Sequence, residues 1–185
     1  MKSLQNKTKL IILLSLVAGL SLQCEKKEDD KDDTTLLVLA ALTTSAGDCS
    51  VSASGKATIN TWTTDITGTT SGTISKLGSV PIVGHTTAAI KLTADGSTSL
   101  AVTGSAFIIV YKTSACPLAT SNLAVRTTDY SINGGADSAS EFPDSWKITS
   151  QTATITLNGS AGYYVFLYAI PRNGQSAGVT YTFIQ

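Results

Sequence analysis

Two runs, Ala106 to Tyr111 (AFIIVY) and Tyr163 to Ile170 (YYVFLYAI), are apolar at every position. Successive side chains of a strand point to opposite faces. A strand with no polar alternate must be covered on both sides, which puts it in the middle of a sheet. The segments around these two runs read differently. In Thr86 to Ala94 (TTAAIKLTA), Ala88, Ile90 and Leu92 share one face while Ala89, Lys91 and Thr93 share the other. In Trp146 to Leu157, Ala153, Ile155 and Leu157 point inward and Thr152, Thr154 and Thr156 outward. Val179, Tyr181 and Phe183 alternate in Gly178 to Ile184. This is the half-buried strand pattern. Ser50 to Ser54, Ala57 to Thr63, Thr73 to Lys76 and Thr98 to Val102 are further strand candidates. Asp95-Gly96 predicts a turn from which Thr98 to Val102 pairs back as a hairpin, and Asn158-Gly159-Ser160 predicts a second hairpin turn.

Thr and Ser dominate from Thr34 onward and Gly is frequent. Thr favours strands, and Ser and Gly favour turns. Few segments carry the i, i+3, i+4 apolar stripe of a helix. The expected fold is all-β, with roughly eight or nine strands in a single β-sandwich or jelly-roll-like domain over residues 49–185.

The N-terminus gives an address. Lys2, Lys7 and Lys9 precede a 13-residue apolar run, Leu10 to Leu22. That length suits a signal-peptide core and is short for a membrane span. The run ends in Ser-Leu-Gln-Cys at Cys24. This stretch resembles the lipobox of bacterial lipoproteins, in the looser spirochaetal, leptospiral-type form, since Leu22 and Gln23 are large. The resemblance implies removal of residues 1–23, acylation of Cys24 and an outer-membrane address, with possible display on the surface. Two or more acyl chains hold a protein stably on a membrane, at about 0.8 kcal/mol per buried methylene. The alternatives are an uncleaved signal anchor and an ordinary secreted protein.

Residues 24–35 read as a tether. Glu25 to Asp33 is charged at every position, with six acids and three bases, so it should be solvated and extended. Residues 36–48 open with the apolar run Leu36 to Leu42 (LLVLAAL), which reads equally as a short helix or a first strand. It packs on the domain or offers a membrane-proximal or partner-binding surface. From Thr34 to Gln185 there are seven Lys or Arg and seven Asp or Glu. This balance gives no electrostatic support for nucleic-acid binding.

With Cys24 lipidated, Cys49 and Cys116 remain. An even pair in an exported chain predicts one disulfide; the alternative is two free buried thiols. A bridge would close a loop of about 68 residues and stabilise by roughly 4 kcal/mol on the chain-entropy argument.

The last eighty residues carry a weaker resemblance. "AFIIVYK", a long loop, "TATITLNGSAGYYVFLYAI" and a final "GVTYTF" are similar to the bacterial pre-peptidase C-terminal β-sandwich over residues 106–185. It implies an accessory, non-catalytic module. That family's usual Asp-Leu is missing from the strand matching "FIIVY", so its calcium-related features do not carry over.

Chemistry is sparse. His85 is the only histidine, and it is expected in a turn or at the surface. Asn158 to Gly162 (NGSAG) is not a nucleophile elbow. No HExxH, phosphate-binding loop or dinucleotide fingerprint occurs. The best site candidate is Asp129 to Asp144, with Asp129, Asp137, Glu141 and Asp144 around two glycines. These carboxylates could hold calcium, which takes six to eight oxygens. The favoured reading is a solvated loop with a helical turn at Ser138 to Phe142. Trp62, Trp146 and the six tyrosines are expected in the core or at its rim rather than stacked on sugars. Together these features predict a membrane-anchored, monomeric, cofactor-free lipoprotein. Its non-enzymatic module would bind or adhere to an extracellular protein or glycan; alternatively it is a purely structural envelope protein.

Overall fold

The computed structural model describes residues 46–53, 57–80, 83–139 and 144–185. The apolar run before Cys24, Cys24 itself, the tether and residues 36–42 lie outside the described residues, as does Glu141.

The fold is an all-β sandwich. Its strands are β1 (Cys49–Ser52), β2 (Ile59–Thr61), β3 (Thr63–Asp65), β4 (Thr70–Thr73), β5 (Gly78–Val80), β6 (His85–Asp95), β7 (Ser99–Lys112), β8 (Leu118–Ala119), β9 (Tyr130–Asn133), β10 (Ala136–Asp137), β11 (Trp146–Leu157), β12 (Ser160–Ala169) and β13 (Thr180–Ile184). The larger sheet runs β10-β11-β7-β12-β6-β3, with β13 and β4 branching from β7.

The branch arises inside β7. Its second half, Phe107 to Lys112, pairs with β12. Its first half, Ser99 to Thr103, pairs instead with β13. Gly104 stands between the halves at φ +153, and a Cβ there would meet the Val179 side chain at 3.0 Å. The partner strand β11 shifts register at the same level, between Ile148 and Gln151, with Ser150 at positive φ. Both strands therefore bend together, as bulged strands do, and the sheet folds over itself into two layers. The central layer holds β6, β12 and the second half of β7. The outer layer holds β4, β13, the first half of β7, and the part of β11 after its register shift, with β9.

The main core lies between these layers. Ile108, Val110, Tyr163, Val165 and Leu167 from the central layer meet Leu100, Val102, Ile155, Leu157 and Phe183 from the outer one. The opposite faces of the central strands carry a second cluster: Phe107, Ile109, Tyr111, Tyr164, Phe166 and Tyr168. A small second sheet, β2-β1-β8, forms a third layer and covers it with Val51, Ile59 and Leu118. The two double-sided runs are thus interior strands with both faces buried. A disulfide joins Cys49 to Cys116, with Cα atoms 5.5 Å apart, and ties β1 to the approach to β8.

Neither expected hairpin forms. β6 and β7 do not pair; β12 lies between them. Likewise β11 and β12 are not partners across Asn158-Gly159. Each turn is an arch that carries the chain from one layer to the other. Asp95 shapes the first arch, its Oδ1 accepting from the Ser97 amide at 3.2 Å and the Thr98 hydroxyl at 2.8 Å. The arches stack, with Gly96 at φ +101 beside Gly159 at φ +81. A glycine turn signals reversal, but the layer occupied by the next strand is set by what that strand must bury.

Candidate functional site

A cleft of about 480 Å³ opens where the chain between β8 and β9 meets the loop between β10 and β11. Leu123, Ala124 and Val125 form its apolar wall, and Arg126, Asp137 and Asp144 its polar side. This is the neighbourhood of the acidic segment singled out by sequence.

The wall is laid along β7: the Ala124 amide donates to the Val110 carbonyl at 3.0 Å. Asp129 locks it from below. Its Oδ1 accepts from Lys112 Nζ at 2.7 Å and its Oδ2 from the Val125 amide at 2.8 Å. The Lys112 hydrogen bond, then the Val125 amide, hold the Asp129 carboxyl below its ordinary range. The Tyr163 hydroxyl lies 3.1 Å from the Asp129 carbonyl oxygen and 2.9 Å from that of Asn158, and donates its one proton there. This joins the cleft floor to the Asn158-Gly159 arch.

Arg126 is clamped on three sides. Nη1 donates to Asp137 Oδ2 at 2.6 Å and Nη2 to the Ser145 carbonyl at 3.3 Å. The guanidinium lies over the Trp146 ring, 4.7 Å from its centroid, a cation–π contact. Arg126 in turn holds the Asp137 carboxyl below its usual range. The Trp146 indole NH donates to the Gly134 carbonyl. Gly134 and Gly135 have φ +91 and +84, and a Cβ on either would strike neighbouring atoms at 2.3 and 2.5 Å. Only glycine fits there, which explains Gly-Gly in the loop.

The carboxylates named as calcium candidates are divided in their roles. Asp129 serves Lys112 and Asp137 serves Arg126, while Asp144 stands on the cleft edge at φ +54. Among the described residues no three His, Cys, Asp or Glu side chains gather into a metal-binding group. Ser138 and Ala139 are not helical, and residues 140–142 of the expected turn lie outside the described residues.

Tyr111, Tyr130, Tyr163, Tyr164 and Tyr168 are buried, so they face the core as expected; burial pushes the Tyr111 hydroxyl up to about 12. Trp62 is half-buried with Lys76 Nζ 6.0 Å from its ring centroid. His85 corrects the sequence expectation. It is buried at 8 % exposure, opens β6, hydrogen-bonds through Nδ1 to the Tyr168 hydroxyl and meets that ring edge-on at 5.2 Å. Pairing of Val80 with His85 places β5 alongside it; a glycine before a strand hid this lateral cover from sequence reading. The Arg126–Trp146 stack was also missed, because it joins residues twenty positions apart with no local pattern.

No family model, curated protein or solved structure matches the chain.

Proposed function

We propose that this chain is a lipid-anchored protein of a bacterial outer membrane whose β-sandwich is a non-catalytic binding module for an extracellular protein or glycan. The observation that carries the proposal is the Cys49–Cys116 disulfide. Such bonds persist in oxidising compartments, and this one accords with export led by the apolar run before Cys24. In this reading the charged tether at residues 24–35 spaces the domain from the lipid. The cleft beside Arg126 supports the binding half of the proposal: it combines an exposed apolar residue, Val125, with a clamped cation and acids, the mixture common to ligand sites.

Labelling cells with radioactive fatty acid tests the anchor. The wild type should be marked and Cys24→Ala should not; equal labelling sinks the proposal of lipidation. Protease added to intact cells should degrade the domain if it faces outward. The purified domain should bind components of an array of matrix proteins and glycans. An empty array favours a structural role.

A further inference from the structure

The sandwich has two unlike ends. β6 and β12 run antiparallel between them, with Ser160 beside Asp95 at one end and Ala169 beside Thr86 at the other, about 30 Å away along the strand. The first end carries the two stacked arches. The second is made of turns. Gly84 closes the turn from β5 into β6, its amide donating to the Val80 carbonyl at 2.9 Å. Beside it, Pro171 to Gly174 turns the chain out of β12. The chain also enters the domain here. Gly78 of β5 pairs with Thr87 and lies so close to β2 that a Cβ on it would stand 3.2 Å from the Thr61 Cα. On the same residue, a Cβ at Gly47 would stand 2.4 Å from the Thr61 carbonyl oxygen. Residues 46–48 therefore come in next to Trp62.

We propose that this second end docks on the lipid bilayer and turns the arches away from it, a proposal that rests on the lipid-anchor reading above. Three observations carry it. The first is the point of entry. Ala46 stands 22 positions after Cys24, so a lipid on Cys24 delivers the domain to the bilayer by this end. Tethering raises the local concentration, and a weak contact is then populated. The second is apolar exposure. Among the described residues the exposed large apolar side chains are Leu77, Val83, Val125 and Ile184. Val125 belongs to the cleft and Ile184 pairs with Ser99 near the first arch. Leu77, 39 % exposed, and Val83, 49 % exposed, both belong to the entry end. Half-buried Trp62 is there too, with Lys76 Nζ 6.0 Å from its ring centroid. Trp, aliphatic and Lys side chains together are the mixture that settles at a membrane–water interface. The third is charge. From Ile66 to Ala94 and from Asn158 to Gln185 the sequence has Lys76, Lys91 and Arg172 and neither Asp nor Glu. Lys91 pairs with Asp65, whereas Lys76 and Arg172 have no ion pair among the described residues. Lys147 adds a third such cation, in the row through Phe107, Tyr168, Thr87 and Gly78. The acid at the entry, Asp48, is held on the Thr63 amide at 2.8 Å. Cations thus outnumber acids at this end, which favours an anionic headgroup surface.

The chain's two tryptophans, Trp62 and Trp146, give the test. The acylated protein is reconstituted in vesicles of phosphatidylcholine mixed with phosphatidylglycerol, with brominated acyl chains as the quencher. In Trp146→Phe, which leaves Trp62, emission should fall by about half when brominated lipid replaces plain lipid, as for a ring at headgroup level. In Trp62→Phe, which leaves Trp146, emission should not change. Adding Leu77→Glu and Val83→Glu to Trp146→Phe should abolish the quenching, whereas adding Leu77→Met and Val83→Ile should keep it. Circular dichroism on each variant confirms folding. Flotation with the vesicles without quenching of Trp62 overturns the inference and leaves the lipid anchor intact. Equal quenching of Trp146, or quenching that survives the Glu pair, does the same. Failure of the wild type to float removes the anchor reading and the inference with it.

Discussion

The two halves of β7 differ in a way that organises the molecule. From Ala106 to Tyr111 every side chain is buried; one set enters the main core and the other the cluster beneath the small sheet. From Ser99 to Thr103 only Leu100 and Val102 are buried, while Ser99, Ala101 and Thr103 face out. One strand thus runs from a two-sided to a one-sided environment across Gly104. Burial on both faces needs a third layer, and that layer is small: β1 pairs with β8 through two residue pairs only. The covered half therefore has the larger apolar reward and the more fragile cover. The one-sided half needs no cover, because its outer face is already satisfied by hydroxyls and water.

The comparison is most sharply broken by truncation in the covered half. Ile109→Ala should cost about 2–5 kcal/mol, as buried Ile truncations do, read as a shift in urea midpoint. A cost under about 1 kcal/mol would mean that the small sheet does not exclude water. Next in size is the staple. Replacing both Cys49 and Cys116 by Ala should cost about 2–4 kcal/mol. Hydrogen exchange should then rise first in β1, β2 and β8 and in the strands they cover, with β13 and β4 little changed. A uniform rise across both layers would show that cover and core unfold as one unit.

A smaller effect is expected where Lys112, the last residue of β7, meets Asp129. A carboxyl held below its ordinary value near 3.8 stabilises the fold above that pH, and the contribution fades as pH falls through the lowered folded value. Lys112 is half exposed, so Lys112→Met should lower stability at pH 7 only slightly, less than loss of the disulfide does. The difference from wild type should fade as pH falls through the lowered Asp129 value, followed by urea denaturation across pH. A difference that persists in acid would mean the lysine acts through packing of its stem. The smallest effect belongs to the uncovered half: Thr103→Ala should change stability by about 0.5 kcal/mol or less, even though Thr103 bonds Thr152.

Much of this was legible along the chain. Both two-sided strands, the alternation of β6 and β11 and the cysteine pair were read from residue type and period, because burial writes itself into a strand at a period of two. Two residues of the acidic segment, Asp137 and Asp144, line the cleft. What it lacked was its partner. Arg126 and Trp146 meet only because β7 and β11 pair, and Lys112 finds Asp129 seventeen positions further along the chain. His85 looked like a turn residue because its neighbours are Gly84 and Thr86, while its cover comes from Tyr168, eighty-three residues away.

The sequence by itself determined which strands have two buried faces, that the fold is all-β, and that Cys49 and Cys116 are available to each other. These are consequences of side-chain alternation and of composition, which act locally. Tertiary structure decided which layer each strand joins. It turned two glycine-marked reversals into arches, since a turn fixes only the change of direction, while the pairing that follows is chosen by the apolar face each strand must hide. It also gathered threonines from four distant segments into continuous rows, an arrangement that register alone creates and that no single segment contains.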